Sequence, residues 1–130
     1  MINKKLLPLL LGGLGIGTTE FVMMGMLPDI ANEWAISIPQ AGHLISIYAL
    51  GVVIGAPVLV ILGRLFSPKK MLLLLMVAFT LFNLLSAVSN SYPTMLATRF
   101  LSGLPHGAFF GIGAVVASKN AEKGKQASAI

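Results

Sequence analysis

Two ionisable side chains lie inside long apolar runs of this sequence, and they are the residues best suited to chemistry. Glu20 is in the first run and Arg99 is in the fourth. A charge near the centre of a bilayer is disfavoured by about 2.5–3.5 kcal/mol on insertion scales, so such a group usually faces a cavity or a partner. A carboxyl group can bind a proton or a cation, and a guanidinium can pair with that carboxylate. Glu20 and Arg99 are therefore expected to face a cavity or to pair with each other.

Depth and helical phase favour placing these charges together inside a bundle. At about 1.5 Å per residue, Glu20 and Arg99 lie about 10 Å and 8 Å below the same side of the membrane, so a pair is geometrically possible. His106 follows Arg99 by two helical turns on one face and is a third candidate, because an imidazole can relay protons near neutral pH. A hydrogen-bonded packing histidine, an arginine that reaches the outer headgroups and a protonated, purely structural glutamate are the alternatives.

The elements that must position these residues are four apolar runs. They cover approximately residues 6–27, 41–62, 71–88 and 94–117. Each has roughly 18 to 24 residues, which as a helix spans a hydrocarbon core of about 30 Å. Lipid offers no partner for a free backbone amide or carbonyl, so helices are expected. The predicted fold is all-α, a polytopic bundle of four transmembrane helices forming one domain over residues 1–130.

Composition excludes most soluble classes of protein. The chain is 56% hydrophobic and 10% charged, whereas soluble domains average about 25% charged residues. The net charge of +5 could suggest nucleic acid, but the bases occupy joints between apolar runs, so the expected partner is the lipid bilayer. Cysteine is absent, and no phosphate-binding loop, metal spacing or nucleophile motif is found. We expect no cofactor, no metal and no enzymatic activity.

Basic residues predict the orientation of the chain. The joints on one side contain Lys4, Lys5, Arg64, Lys69, Lys70, Lys119, Lys123 and Lys125. The opposite joints, residues 28–40 and 89–93, contain no base, and the first of them contains Asp29 and Glu33. Lysine and arginine accumulate in cytoplasmic loops. Both termini are therefore predicted to be cytoplasmic.

Small residues predict where the helices touch. Glycines recur at intervals of four, which clears one helix face and lets backbones approach closely. They are Gly13 and Gly17 in the first run, Gly51 and Gly55 in the second, and Gly103, Gly107 and Gly111 in the fourth. Short joints predict that spans three and four are antiparallel neighbours, and that spans two and three are neighbours on the cytoplasmic side.

Two stretches resemble the major facilitator superfamily. Residues 95–111, with an arginine followed by spaced glycines, resemble its fourth-helix motif. The turn with Gly63, Arg64, Lys69 and Lys70 resembles its loop between helices two and three, although the acid of that loop is missing here. The closest resemblance is to the drug:proton antiporter group that includes arabinose-efflux-permease-like proteins.

The resemblance implies a secondary transporter in the bacterial inner membrane. It would export a small organic solute, such as a sugar, drug or metabolite, in exchange for protons, and Glu20, Arg99 and His106 would bind the proton or the substrate. The family has about twelve helices, so we expect a partial chain whose remaining helices are absent. The alternatives are a complete four-helix small multidrug exporter acting as a dimer, and a non-transporting membrane scaffold.

Overall fold

The chain folds into four long α-helices. The computed structural model describes residues 6–121, 124, 126 and 127. The helices are α1 (Leu7–Glu33), α2 (Ile38–Leu62), α3 (Pro68–Ala87) and α4 (Tyr92–Asn120), with a 3-10 turn at Gly63–Leu65. All four are long and apolar enough to cross a membrane. The predicted all-α membrane bundle is confirmed.

Serine caps begin three of the helices. The side chain of Ser37 accepts a hydrogen bond from the backbone of Gln40 at 3.2 Å. Ser67 and Ser91 cap α3 and α4 in the same way. Proline occupies one of the first two positions of all four helices, where its fixed φ suits a helix and its missing N–H costs nothing. These caps start α2, α3 and α4 two or three residues before the predicted spans.

The prediction that the first helix ends at Leu27 is wrong, because α1 continues through Pro28 to Glu33. Proline removes one backbone hydrogen bond, but the residues after it gain more from packing. Ile30 and Ala31 are buried there, and Ile30 packs with Leu44 of α2. Burial against a neighbouring helix therefore outweighs the local effect of the proline.

The end of α1 is a Schellman motif built on alanine. The backbone N–H of Ile36 donates to the carbonyl of Ala31 at 2.9 Å, and that of Ala35 donates to the carbonyl of Asn32 at 3.3 Å. Ala35 has φ = 50°, in the left-handed region that usually requires glycine at this position. The chain therefore reverses sharply between α1 and α2.

The turn between α2 and α3 is shorter than predicted. Lys69 and Lys70 lie in the first turn of α3, not in the loop, because Ser67 caps the helix before them. Cations at a helix N-terminus oppose the helix dipole, so local helix energetics do not explain them. Lys4, Lys5, Lys123 and Lys125 of the orientation argument lie outside the described residues.

Helix α4 is the centre of the bundle. It packs most extensively on α2, and α3 packs on its other side. The predicted contact between spans two and three is confined to the turn, since α3 packs against α4 and not along α2. Helix α1 lies against α2 and touches α4 lightly. The outward faces of the helices expose many large apolar side chains, as expected for surfaces in lipid.

Candidate functional site

Arg99 of α4 is the most deeply buried charge among the described residues, with 1% of its surface exposed. Its guanidinium carbon lies 4.2 Å from the centroid of the Tyr48 ring on α2. A cation over an aromatic face gains about 0.5–2 kcal/mol, and more when both groups are desolvated. This burial excludes the alternative in which Arg99 reaches the outer headgroups.

The Arg99 side chain is only partly satisfied. In the described part of the chain, its Nε is the one buried side-chain nitrogen or oxygen without a hydrogen-bond partner. An unpaired buried donor costs about 1–3 kcal/mol, and more when it is charged. A guanidinium in that position therefore lowers stability relative to an apolar side chain of similar size.

Tyr48 joins Arg99 to His106. Its hydroxyl lies 2.8 Å from Nδ1 of His106, and the two rings are 5.6 Å apart with a tilt of 55°. His106 continues the contact to Phe110, whose ring is 5.2 Å away. Arg99, Tyr48, His106 and Phe110 therefore form a continuous polar and aromatic row along the α2–α4 interface.

Gly103 creates the space that Tyr48 occupies. It lies between Arg99 and His106 on the same face of α4, and a Cβ atom there would overlap the backbone carbonyl of Tyr48. Absence of that Cβ lets α2 approach until the tyrosine ring fits between the two polar residues. The arginine, glycine and histidine of the fourth-helix pattern thus all contact the same tyrosine of α2.

Glu20 approaches this row from α1. It is half-buried and interacts electrostatically with Tyr48, Arg99 and His106. No ion pair joins Glu20 to Arg99, although the structure describes both residues. The three predicted site residues are therefore brought to one region, with the carboxylate and the guanidinium not in direct contact.

Tyr48 is the site residue that the sequence prediction missed, because an aromatic residue one to two turns into the second apolar run carries no charge that would mark it as a candidate. A usable signal was present. Tyr48 precedes Gly51 by three residues and Gly55 by seven, which places it on the glycine face of α2. A large residue on an otherwise small face is a candidate to enter a matching gap in the neighbouring helix.

The predicted packing glycines differ in their surroundings. A Cβ at Gly51 or Gly55 would overlap the α4 backbone, and a Cβ at Gly107 would overlap Ala56 and Val52. These positions, with Gly103, bring the α2 and α4 backbones into contact. By contrast, a Cβ at Gly13, Gly111 or Gly17 would meet Phe110 at 3.4 Å, Val60 at 3.6 Å and nothing within 4 Å, respectively.

The turn between α2 and α3 is separate from the polar row. Gly63 packs against Ile112 and Met71, while Arg64, Lys69 and Lys70 are exposed. An apolar cleft of about 180 Å³ lies beside it, lined by α2, α3 and α4. These three basic residues thus face away from the interior of the helix bundle.

A second aromatic group lies at the opposite end of the bundle. The Tyr92 hydroxyl donates to the Gln40 carbonyl at 2.7 Å and lies 3.3 Å from Nδ1 of His43. The Trp34 ring meets the Tyr92 ring edge-on at 6.2 Å. These contacts hold the outer ends of α1, α2 and α4 together.

The side chains of the candidate site suit an organic ligand better than a metal ion. Across residues 6–121, 124, 126 and 127, no three histidine, cysteine or acidic side chains come together to hold a metal ion. The row instead offers one cation, one nearby carboxylate, an imidazole and aromatic rings. Such a set suits proton exchange and the binding of a small organic molecule.

Comparison with known proteins identifies the family. Residues 9–130 match the Major Facilitator Superfamily model. The chain is 51% identical over 129 residues to the Inner membrane transport protein YdhP of Escherichia coli (strain K12), covering 99% of this chain and 33% of that protein. The Putative transporter AraJ of the same strain is 45% identical with the same coverage. A Chloramphenicol resistance protein of Streptomyces lividans is 31% identical over 115 residues, which are 88% of this chain and 29% of that protein.

The chain spans about a third of the length of these curated relatives. No solved structure matches it. The family is one of transporters, which confirms the expectation that the chain is not an enzyme. The chain has four apolar helices and the fourth-helix pattern around Arg99, and the family model matches nearly all of its length. The chain therefore belongs to the major facilitator superfamily.

Proposed function

We propose that these helices are part of a secondary transporter that exports a small organic solute in exchange for protons. The observation that carries the proposal is a fully buried guanidinium, Arg99, with a half-buried carboxyl group, Glu20, in electrostatic range on another helix. Buried ionisable groups inside membrane helices usually mark ion or substrate pathways.

Glu20 is the proton-binding group in this proposal. When its carboxyl group is ionised, it is attracted to Arg99; when it is protonated, that attraction is lost. Helix α1 carries Glu20 and touches α4 only lightly, so a change in this attraction acts on a weakly constrained contact. Proton binding is thereby coupled to the position of α1.

In this proposal His106 faces the substrate, and Arg99 contributes its positive charge from inside the bundle. His106 lies beside the rings of Tyr48 and Phe110, and the buried Arg99 lies over the Tyr48 ring. A small organic molecule with an acceptor atom and a flat apolar part would match this combination. The name of the Streptomyces relative, a chloramphenicol resistance protein, supports a drug as one such solute.

The location follows from the same comparisons and from the charges. A relative named as an inner membrane transport protein supports a bacterial inner membrane. The bias of basic residues supports cytoplasmic termini. Because the relatives are about three times as long, the working transporter is proposed to contain further helices that enclose the Glu20 and Arg99 faces.

Family membership disfavours the two alternatives. A complete four-helix multidrug exporter acting as a dimer would not be expected to align with a third of each longer relative. A scaffold without transport would not need a buried guanidinium kept short of a direct ion pair, since an apolar residue there would be less costly.

The test is Glu20→Gln in the full-length gene product, reconstituted in liposomes with an imposed pH gradient and with chloramphenicol and arabinose as probe solutes. We expect loss of proton-driven export, because an amide cannot exchange the proton. Glu33→Gln is the matched control: it removes an exposed acid from the end of the same helix and should leave export unchanged. Full proton-coupled export by Glu20→Gln would refute the proposal.

A further inference from the structure

The Tyr48 hydroxyl has a single partner. It is buried with its residue, which is 1% exposed, and Nδ1 of His106 is its one hydrogen-bond partner among the residues that the structure describes. A phenolic oxygen can accept or donate, and a ring nitrogen of histidine can do either according to its tautomer. The direction of this bond therefore decides where His106 carries its proton.

Satisfying the buried donor fixes that direction. If Nδ1 donated its hydrogen to Tyr48, the phenolic O–H would be left buried without an acceptor, which is costly. If Tyr48 donates to Nδ1, both groups are satisfied. A neutral imidazole that accepts at Nδ1 carries its hydrogen on Nε2.

The other ring nitrogen of His106 remains open. Nε2 makes no hydrogen bond within the described residues, yet it is not among their buried unpaired atoms, so it lies at an accessible surface. With Nδ1 held by Tyr48, the Nε2–H points its hydrogen toward that surface. His106 therefore presents a donor where a ligand can reach it.

The same ring supports Arg99. The guanidinium lies over the face of Tyr48 while the hydroxyl of that residue donates to His106. A phenol that donates a hydrogen bond has a more negative ring, so the bond to His106 strengthens the contact with Arg99. One side chain from α2 thus sets the orientation of both polar groups on α4.

We propose that Tyr48 is a positioning residue that holds His106 in the Nε2–H tautomer and braces the buried Arg99, so that α4 presents one fixed hydrogen-bond donor, the Nε2–H of His106, to the solute. The role in transport rests on the function proposed above, whereas the tautomer does not. Around this group, α1 contributes Glu20, α2 contributes Tyr48, α4 contributes Arg99 and His106, and the titratable residues of α3 are the two lysines of its first turn.

Protonation of His106 reverses the bond. A doubly protonated imidazole has no acceptor, so Nδ1–H then donates to the Tyr48 oxygen and the phenolic hydrogen must turn to another acceptor. Glu20 is the carboxylate in electrostatic range of Tyr48.

The first experiment measures the tautomer directly. Solid-state ¹⁵N NMR of the histidine rings in the full-length gene product, in lipid at alkaline pH, identifies the His106 signals by their loss in His106→Gln. We expect an unprotonated, hydrogen-bonded Nδ1 and a protonated Nε2. In Tyr48→Phe the Nδ1 signal should move and the second tautomer should become populated. A protonated Nδ1 in the unmodified protein, or His106 spectra unaltered by Tyr48→Phe, would overturn the assignment.

The second experiment separates positioning from packing. Tyr48→Phe retains the ring over Arg99 and removes the hydroxyl, so we expect KM for the solute to rise about tenfold with the maximal export rate within about twofold, as for one lost oriented hydrogen bond to the bound solute. Tyr92→Phe is the matched control, because it also removes a tyrosine hydroxyl beside a histidine, and it should change neither value. Equal effects of the two variants would refute a positioning role.

The two proposals fail separately. If Glu20→Gln abolishes proton-driven export but Tyr48→Phe leaves the His106 signals unaltered, the transport proposal stands and the Tyr48 inference is wrong. If the His106 signals respond as expected while Glu20→Gln retains coupled export, the tautomer assignment stands and the role of Glu20 is wrong.

Discussion

The carbonyl oxygen of Tyr48 occupies the place that a Cβ atom of Gly103 would need. The backbones of α2 and α4 are therefore in direct contact at the level of the polar row. The close approach and the burial of Arg99 are two aspects of a single contact, since the tyrosine that covers the guanidinium is the residue whose backbone meets the glycine.

Substituting Gly103 should therefore separate α2 from α4. We expect Gly103→Ala to lower the free energy of unfolding by about 1–3 kcal/mol, because backbone atoms cannot yield as a flexible side chain would. Thermal unfolding of the purified full-length gene product in detergent measures the change. Gly111→Ala is the control, since its Cβ would meet Val60 at an ordinary 3.6 Å; comparable losses in both variants would contradict the close contact.

Removing the charge of Arg99 should divide stability from function. Arg99→Met fills a similar volume without a buried unpaired donor, so we expect stability to be unchanged or higher by about 1–4 kcal/mol while export is lost. Arg64→Met removes an exposed cation and should alter stability by less than about 0.5 kcal/mol. A large loss of stability in Arg99→Met alone would mean that the guanidinium holds the bundle together.

Ala35 offers a stabilising substitution. Its φ of 50° is costly for alanine and free for glycine, so Ala35→Gly should raise stability by about 0.5–1 kcal/mol. Asn32→Gly, three residues earlier in the helical last turn of α1, should have the opposite sign. Thermal unfolding of both variants checks the pair, and a destabilised Ala35→Gly would contradict the left-handed turn.

The orientation can be measured without background from this segment, because it contains no cysteine. We expect Asn90→Cys, in the turn between α3 and α4, to react with a membrane-impermeant maleimide on intact cells. Leu65→Cys, 78% exposed in the turn between α2 and α3, should react only after the membrane is opened. The reverse pattern would overturn the assignment of cytoplasmic termini.

Much of the fold could be predicted because membrane helices obey a simple length and composition rule. The ends of the helices were harder to predict from the sequence. The first apolar run ends at about residue 27, and only the burial of Ile30 and Ala31 against α2 shows why α1 continues. The serines before α2, α3 and α4 could have been recognised as helix N-caps, but a prediction from apolar runs alone does not take them into account.

The site was predictable in its parts and not in its arrangement. Helical phase placed Arg99 and His106 on one face, and charge inside an apolar run identified Glu20. The lateral separation of Glu20 from Arg99 depends on how α1 leans on α2, which no periodicity specifies. Tyr48 was missed for the same reason, because its role arises from the fit of one helix into another.

The backbone contact between α2 and α4 also limits how the molecule can change shape. Side chains that separate helices normally let them slide by changing rotamers, but at Gly51, Gly55, Gly103 and Gly107 little or no such layer exists. These two helices should consequently move as one rigid body, with α1 rocking against them. Distances between spin labels should then stay constant between α2 and α4 and vary between α1 and α4 as the pH is changed. The surface along which α1 moves against the other two helices would then contain Glu20.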